Sequence, residues 1–131
     1  MKLLLDTHVL IWALSLPERL PEYITEMICN ENNDVYVSAV SLWEISIKHK
    51  KSPHKMPFSS IQIRDYCQRA GYIFLSISVD SVSTFDVTSF DNNNDPFDQM
   101  LVSQSIANNM KFLTHDEKIK QFGVGNIEFF E

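Results

Sequence analysis

The chain has 131 residues, of which 44% are hydrophobic and 21% charged, and its net charge is −6. This length and balance predict one soluble domain, residues 1–131, with a core of its own. The acidic charge argues against a general nucleic-acid binder, and three glycines and two cysteines are too few for a phosphate-binding glycine loop, a disulfide framework or a zinc site.

The amino-terminal stretch M-K-L-L-L-D-T-H begins like a signal peptide. However, Asp6 and His8 interrupt its apolar run, and no clear small-residue cleavage site follows. No apolar run in the chain approaches the ~20 residues that cross a bilayer. We therefore expect a cytoplasmic protein in which Cys29 and Cys67 are reduced and buried.

The first quarter of the chain predicts one strand and two helices. The short apolar run K-L-L-L-D, residues 2–6, is typical of a strand covered on both faces. A helix follows over residues 8–15 and ends near Pro17. Pro21 suits the first turn of a second helix that reaches Asn30.

The next elements repeat this alternation. β-branched and aromatic residues predict a strand over residues 35–38. A helix begins near Ser41 and gives way to a loop within residues 48–55. Another helix covers residues 59–70, with Gly71 as its carboxyl-terminal cap.

The remaining elements are, in order, a strand at 72–77, a short helix at 79–87, a loop at 89–94, a helix at 96–109, a strand at 111–114, a short helix, and an edge strand near 126–130. Strands thus alternate with helices throughout. This pattern predicts an α/β fold in three layers, with a central parallel sheet of four to five strands flanked by helices.

Four acidic residues follow predicted strands or begin predicted helices: Asp6, Glu44, Asp98 and Asp116. Sites in open parallel sheets form at the carboxyl ends of the strands. We expect all four carboxylates at that edge. Carboxylates ~5 Å apart repel by about 3 kcal/mol at an effective dielectric of 20. Such a cluster therefore takes up protons or binds a hard cation, Mg²⁺ or Mn²⁺, whose typical chemistry is phosphodiester hydrolysis.

Each acid also has a purely structural interpretation. Ser41-x-x-Glu44 and Thr114-x-x-Glu117 both match a capping box. Asp6 can cap the first helix, and Asp98 and Asp116 would favour a positive helix terminus. One carboxylate can both cap a helix and face a cation site. The expected position of all four acids at one edge of the sheet favours the cation site. Without the four acids the charge falls to −2, because 17 acidic residues become 13 against 11 Lys and Arg.

With these residues assembled, the chain resembles the PIN domain family, and most closely its VapC toxin branch. The matching stretches are L-L-L-D-T-H-V-L-I-W at 3–12, V-Y-V-S-A-V-S-L-W-E-I-S-I-K at 35–48, D-P-F-D-Q-M-L-V-S-Q at 95–104 and L-T-H-D at 113–116. The resemblance implies a metal-dependent ribonuclease that is held inactive by a VapB-type antitoxin and is often a homodimer.

The resemblance places the metal and catalytic site on Asp6, Glu44, Asp98 and Asp116. It also implies that Thr114 supports the water that the metal activates. Asp95 matches the extra acid of the D-P-F-D motif, although we expect it first of all to cap the helix before Pro96. Two departures remove positive charge near the expected substrate path: Gln99 stands where arginine is common, and D-N-N-N stands where a His-Arg pair is common.

Other polar residues have open roles. Thr7 and Ser38 could orient the carboxylates or only cap helices. His8 and His115 could bind a phosphate, and Trp12 is expected in the core or at a dimer contact, with base stacking as the alternative.

Lysines at 48, 50, 51 and 55 form the only basic cluster and could hold RNA phosphates or simply suit a helix end. Residues 56–74 could bind an antitoxin through Phe58, Ile61, Ile63 and Tyr66, or pack in the core.

Two functions therefore remain. The first is an endoribonuclease in which Glu44 or Asp98 accepts the proton of the attacking water. The second is a catalytically weak PIN-like protein that sequesters a protein or RNA partner. A phosphoacceptor receiver domain is excluded because Asp6 stands alone and Thr114 occupies the late lysine position, and a D-x-D phosphatase is excluded because position 8 is His.

Overall fold

One sheet of five parallel strands forms the centre of the computed structural model, which describes residues 1–89, 95–122 and 124–131. The strands are β1 (Lys2–Leu5), β2 (Asp34–Ser38), β3 (Ile73–Leu75), β4 (Lys111–Thr114) and β5 (Ile127–Phe129). The helices are α1 (Thr7–Ser15), α2 (Glu22–Cys29), α3 (Ala39–Lys51), α4 (Ser60–Ala70), α5 (Val79–Val87), α6 (Pro96–Ala107) and α7 (Glu117–Lys120), and a 3-10 helix covers Pro17–Arg19.

The strand order is β3-β2-β1-β4-β5, with every neighbouring pair parallel. The predicted α/β fold is therefore confirmed. β1 lies at the centre, between β2 and β4, so the residue that follows it is flanked by the carboxyl ends of two other strands. β3 and β5 are the edges, and β5 is the edge strand predicted from N-I-E-F-F.

Helices cover both faces of the sheet, as alternating side chains on β1 show. Leu3 and Leu5 belong to a core cluster with residues of α1, α2, α3 and α4. Leu4 points to the other face and packs in a second cluster with residues of α6 and α7. Both faces of this central strand are therefore apolar, which explains why its sequence is a continuous leucine run rather than an alternating one.

The start of α3 corrects one prediction. The helix begins at Ala39, and Ser38 is its cap, since the Ser38 hydroxyl accepts a hydrogen bond from the backbone N–H of Val40 (2.9 Å). Ser41 lies inside the helix and is fully buried. The predicted Ser41–Glu44 capping box is therefore wrong, and capping does not explain the presence of Glu44.

The second predicted capping box is wrong as well. Asp116, rather than Thr114, caps α7, because its Oδ1 accepts from the backbone N–H of Lys118 (2.9 Å). Thr114 is the last residue of β4 and makes other contacts. Gly71 caps α4 as predicted, with a left-handed φ of 80° that favours glycine.

Some features differ from expectation only in detail. α3 continues to Lys51, so Lys48, Lys50 and Lys51 lie in its last turn, and Lys55 lies in the turn that follows. Both cysteines are free, but Cys29 is exposed rather than buried. The predicted loop over 89–94 lies outside the described residues, except for Ser89. None of the described helices has the length and apolar composition needed to cross a bilayer.

Candidate active site

The predicted acids come from four separate segments at the carboxyl-terminal edge of the sheet. Asp6 directly follows β1 and caps α1, Asp116 lies two residues after β4, Asp98 lies in the first turn of α6, and Glu44 projects from α3. Because β1 and β4 are adjacent and parallel, Asp6 and the end of β4 lie side by side.

Asp6 is held from two sides. Its Oδ1 accepts from the backbone N–H of Thr7 (2.8 Å), and its Oδ2 accepts from the Thr114 hydroxyl (2.7 Å). Only 4% of the residue is exposed. Burial raises the pKa of Asp6 to about 6, even though both hydrogen bonds and the nearby His8 favour the charged form. A carboxylate that is fixed in place and poorly solvated suits a cation ligand.

Thr114 connects this carboxylate to the next one. Its hydroxyl donates to Asp6 and accepts from the backbone N–H of Asp116 (3.0 Å). One buried side chain therefore sets both the rotamer of Asp6 and the turn that carries Asp116. The predicted supporting role of Thr114 has this structural basis, whereas its contact with water stays a prediction.

Glu44 is buried, with 5% of the residue exposed, and both of its oxygens have partners. Oε1 accepts from the Thr7 hydroxyl (2.8 Å), which also lies 3.0 Å from the Ser41 hydroxyl. Oε2 is paired with the Lys48 ammonium at 2.6 Å. Thr7 thus links two acids, since its backbone binds Asp6 and its side chain binds Glu44.

Lys48 supplies the positive charge closest to the acids. Burial disfavours its charged form, but the hydrogen bond and charge of Glu44, with the charges of Asp95 and Asp98, raise the pKa of Lys48 above its usual value. Its side chain is 44% exposed, so it can leave Glu44 at modest cost.

Asp98 experiences the crowding of negative charge most directly. Its pKa is raised from 3.8 to about 8, first by burial and then by repulsion from Asp6, Asp95, Asp116 and Glu44. The carboxylates of Asp6, Asp95, Asp116 and Glu44 are thus near enough to Asp98 to disfavour its charged form.

Asp95 serves as the cap of α6, as expected. Its Oδ1 accepts from the backbone N–H of Phe97 (2.7 Å), and Pro96 occupies the first helical position. Asp95 is exposed and still contributes to the repulsion of Asp98. Asp95 therefore caps α6 and also belongs to the acidic cluster that Asp6, Glu44, Asp98 and Asp116 form.

The donor set fits a hard divalent ion, because it consists of carboxylates whose charge the protein does not neutralise fully. Within residues 1–89, 95–122 and 124–131, however, no three His, Cys, Asp or Glu side chains stand together as the ligands of one ion. The contacts explain why: Glu44 is turned toward Lys48 and Thr7, and one oxygen of Asp116 binds a helix terminus. Ion binding requires rotamer changes in these side chains but no change of fold.

A family model of the PIN domain matches residues 3–125, which is nearly the whole chain. The chain belongs to the PIN domain family. A comparison with curated proteins gives no match.

Solved structures with similar folds agree with this assignment. They include VapBC2 from Rickettsia felis bound to a promoter DNA fragment (TM-score 0.69, 18% identity, 100% of both chains), DNA-bound VapBC from Salmonella typhimurium (0.70, 17%, 98% of both), and VapBC-1 from nontypeable Haemophilus influenzae (0.65, 15%, 100% of this chain and 98% of the other). At these identities the comparison shows that the fold of this PIN domain is shared.

Ser38 takes part in a different polar cluster from the one expected. Its hydroxyl donates to Gln104 Oε1 (2.5 Å), and Gln104 Nε2 donates to the Ser76 carbonyl (3.3 Å). Gln104 is fully buried in α6. It joins the ends of β2 and β3 to the helix that carries Asp98. Sequence analysis missed this residue, because a glutamine within a helix gives no signal of burial.

The four lysines between residues 48 and 55 of this PIN domain divide into two groups. Lys48, Lys51 and Lys55 line a cleft of about 480 Å³ together with His8, Ser52 and Met56. Lys50 does not line it, because it lies on another face of α3. The cleft borders the acidic cluster through Lys48, which is paired with Glu44.

Proposed function

We propose that this PIN domain is a Mg²⁺- or Mn²⁺-dependent endoribonuclease and the toxin of a VapBC-type pair. The observation that carries the proposal is the convergence of acids from separate segments at one edge of the sheet, where Thr7 contacts both Asp6 and Glu44 and Thr114 contacts both Asp6 and Asp116. The VapC-like sequence stretches support the toxin assignment, and so do the three VapBC structures that share the fold.

The residues of the chain divide the work of phosphodiester hydrolysis. Asp6, Glu44, Asp98 and Asp116 would hold the ion, and Thr7 and Thr114 keep the first two carboxylates in orientation. A bound divalent ion would hold phosphate oxygens and lower the pKa of water. Asp98 would accept the proton of the attacking water when a bound cation keeps its carboxyl group ionised, because both oxygens of Glu44 are engaged with donors.

The lysine cleft supports an RNA substrate. Lys51 and Lys55 are exposed and border the same cleft as Lys48. An RNA phosphate beside the cleaved bond can bind there, because these lysines supply local positive charge on a protein whose net charge is −6. Lys50 is not part of this contact.

Cleavage of total RNA tests the proposal. The purified protein, free of any antitoxin, is incubated with RNA in EDTA, Mg²⁺ or Mn²⁺ beside the Asp6→Asn and Asp98→Asn variants. Discrete fragments that need the metal and are lost in both variants support a nuclease. Folded protein that cleaves nothing with either ion contradicts it.

The alternative function is a binding protein with little catalysis. The pairing of Glu44 with Lys48 favours this function, as does the lack of a preformed three-residue ion site among the described residues. Gln99 in place of the usual arginine agrees with it. Tight partner binding that needs no divalent ion, without cleavage of RNA, distinguishes it from the nuclease.

Two protein partners belong to the proposal: a VapB-type antitoxin and a second copy of the chain. On α4, Ile63 is buried in the core, whereas Ile61 is 79% exposed and could contact the antitoxin. On α5, Val79 and Val82 are 82% and 46% exposed and lie on one helix face. If the homodimer forms through α5, light scattering should give the mass of a dimer. The double substitution Val79→Glu and Val82→Glu should reduce that mass to the mass of a monomer. An unchanged mass would contradict this interface.

The antitoxin contact has its own test. A small open reading frame beside the gene would supply the candidate, and its product should inhibit cleavage. Ile61→Asp should weaken that inhibition without loss of cleavage. Equal inhibition of both proteins would place the antitoxin elsewhere.

A further inference from the structure

A second cleft adjoins the acidic cluster and shares His8 with the lysine cleft. Its volume is about 350 Å³, and its lining consists of Asp6, His8, Trp12, His115, Asp116 and Glu117. This volume lies in the range of small-molecule sites. Two of the proposed metal ligands form part of its wall, so anything bound in it lies next to the cleaved phosphodiester.

Trp12 provides an aromatic surface in this cleft. Its ring centroid lies 5.0 Å from that of His115 at an interplanar angle of 62°, and 6.3 Å from that of His8 at 49°. Neither ring is parallel to the indole. The Arg19 guanidinium lies over the indole, 5.7 Å from its centroid, and is not among the residues that line the cleft. Trp12 is half-buried and lines the cleft, so part of its indole is accessible there.

The position of His115 is set by the end of the chain. Its Nδ1 lies 3.1 Å from the carbonyl oxygen of Phe130, and its ring packs against that of Phe130 at 5.4 Å. A carbonyl only accepts, so in a neutral imidazole Nδ1 carries the hydrogen and Nε2 is an acceptor. Trp12 also packs against the core that contains Phe130. Little rearrangement is therefore needed before a ligand binds.

The charges select which part of a nucleotide enters. Asp6, Asp116 and Glu117 border the cleft, and a phosphate without a bound cation would be repelled there. The lysine cleft suits phosphate, and His8 lines both clefts. A base, by contrast, stacks on an indole and hydrogen-bonds through its edge. The two clefts thus separate the base of a nucleotide from its phosphate.

We propose that this aromatic cleft binds one base of the RNA strand, in the nucleotide next to the phosphodiester held at Asp6 and Asp116. The proposal rests on the function proposed above. Glu117 and Nε2 of His115 are both acceptors, so they suit a base with an exocyclic amino group. The cleft selects adenine, cytosine or guanine over uracil, which has a single N–H donor on its pairing edge.

Nucleoside binding tests the cleft without any metal and without cleavage. In a Trp43→Phe background, Trp12 is the only tryptophan, so its emission reports on the cleft. The protein in EDTA is titrated with adenosine, cytidine, uridine and ribose. We expect saturable quenching by adenosine and cytidine, at least threefold weaker binding of uridine, and no effect of ribose. Equal effects of ribose and the nucleosides, or quenching that does not saturate, would overturn the proposal.

Two variants separate recognition from simple burial of the indole. His115→Ala should weaken adenosine and cytidine binding while the emission maximum of Trp12 stays in place. Glu117→Gln should reduce the preference for cytidine over uridine, because an amide both donates and accepts. A preference that is unchanged in Glu117→Gln would contradict the assignment of that residue.

Cleavage kinetics provide the second readout. Two short RNAs are compared that differ only by an abasic nucleotide beside the cleaved bond. Base stacking is worth about 1–3 kcal/mol, so loss of the base or Trp12→Leu should each lower kcat/KM by about 5- to 150-fold. Trp12→Leu should then cost little on the abasic RNA. An equal loss on both RNAs would make Trp12 purely structural and overturn the proposal. Absence of all cleavage contradicts the nuclease, while the nucleoside titration still decides the cleft.

Discussion

Replacing Asp98 with asparagine should stabilise the metal-free protein at neutral pH. The folded pKa of Asp98 is about 8, against an ordinary value of 3.8. The folded protein therefore binds this proton more tightly than the unfolded chain does. The stability that Asp98 contributes is highest below pH 3.8, and it falls as the pH rises toward 8. An asparagine carries no charge and does not show this loss.

The magnitude follows from the two pKa values. At pH 7.5 the difference from 3.8 corresponds to about 5 kcal/mol at 1.36 kcal/mol per pKa unit. Asp98 is partly exposed, and solvent screening reduces this value to about 2–3 kcal/mol. For a chain of this length we expect an increase in Tm of about 6–12 °C for Asp98→Asn in EDTA. The same substitution should change little at pH 4.

The assay is thermal unfolding by circular dichroism at pH 4, 5.5 and 7.5, in EDTA and in Mn²⁺. Asp80→Asn is the matched control, because Asp80 is also a first-turn acid but is not among the carboxylates that repel Asp98. It should lose at most about 1 kcal/mol of helix-terminus interaction. If Asp98→Asn is destabilised as much as Asp80→Asn at every pH, the carboxylate of Asp98 interacts only with the helix terminus. The predicted repulsion from the other acids would then be refuted. Mn²⁺ should stabilise the wild type and not Asp98→Asn.

Three further substitutions test individual contacts. Lys48→Met removes the ammonium group that competes with a metal ion for Glu44. The affinity for Mn²⁺, measured by calorimetry, should therefore rise about 3- to 10-fold. An unchanged or weaker affinity would show that Lys48 does not compete with the ion. Lys51→Ala should reduce by about one the number of counterions released on RNA binding, measured from the dependence of affinity on salt concentration. Lys50→Ala should not change it, because Lys50 lies outside the cleft. Equal effects of the two substitutions would show that RNA does not bind in the cleft. Thr114→Val should lower the free energy of unfolding in urea by about 1–3 kcal/mol, because it removes the hydroxyl that binds Asp6 and Asp116. Thr114→Ser keeps the hydroxyl and should lower it less. Equal losses would assign the effect to packing rather than to the hydroxyl.

Much of the fold could be predicted because local and global preferences agree. β4 has the predicted bounds, Lys111–Thr114, and α5 has the predicted bounds, Val79–Val87. The start of α3 was harder, since the stretch S-A-V-S-L-W-E offers two serines that can cap a helix. Strand pairing decides between them: β2 pairs with β3 as far as Ser38, and the helix begins immediately afterwards.

The position of the four acids in the fold could be predicted from the sequence, and their contacts could not. The acids could be placed because parallel strands bring their carboxyl ends to one edge. The pairing of Glu44 with Lys48 follows an i,i+4 spacing that the sequence shows, but the burial of Glu44 does not follow from that spacing. The bond from Ser38 to Gln104 spans 66 positions and depends entirely on how α6 packs.

The hydrogen bond between Thr114 and Asp6 spans 108 positions, so it joins the beginning of the chain to a part that is made late. During synthesis, Asp6 and Glu44 leave the ribosome long before β4 exists. Because β4 pairs directly with central β1, the sheet edge that gathers the acids is incomplete until then. A chain whose synthesis stops early lacks Thr114 and Asp116 and cannot form the acidic cluster. The acidic cluster therefore assembles only after β4 has been made.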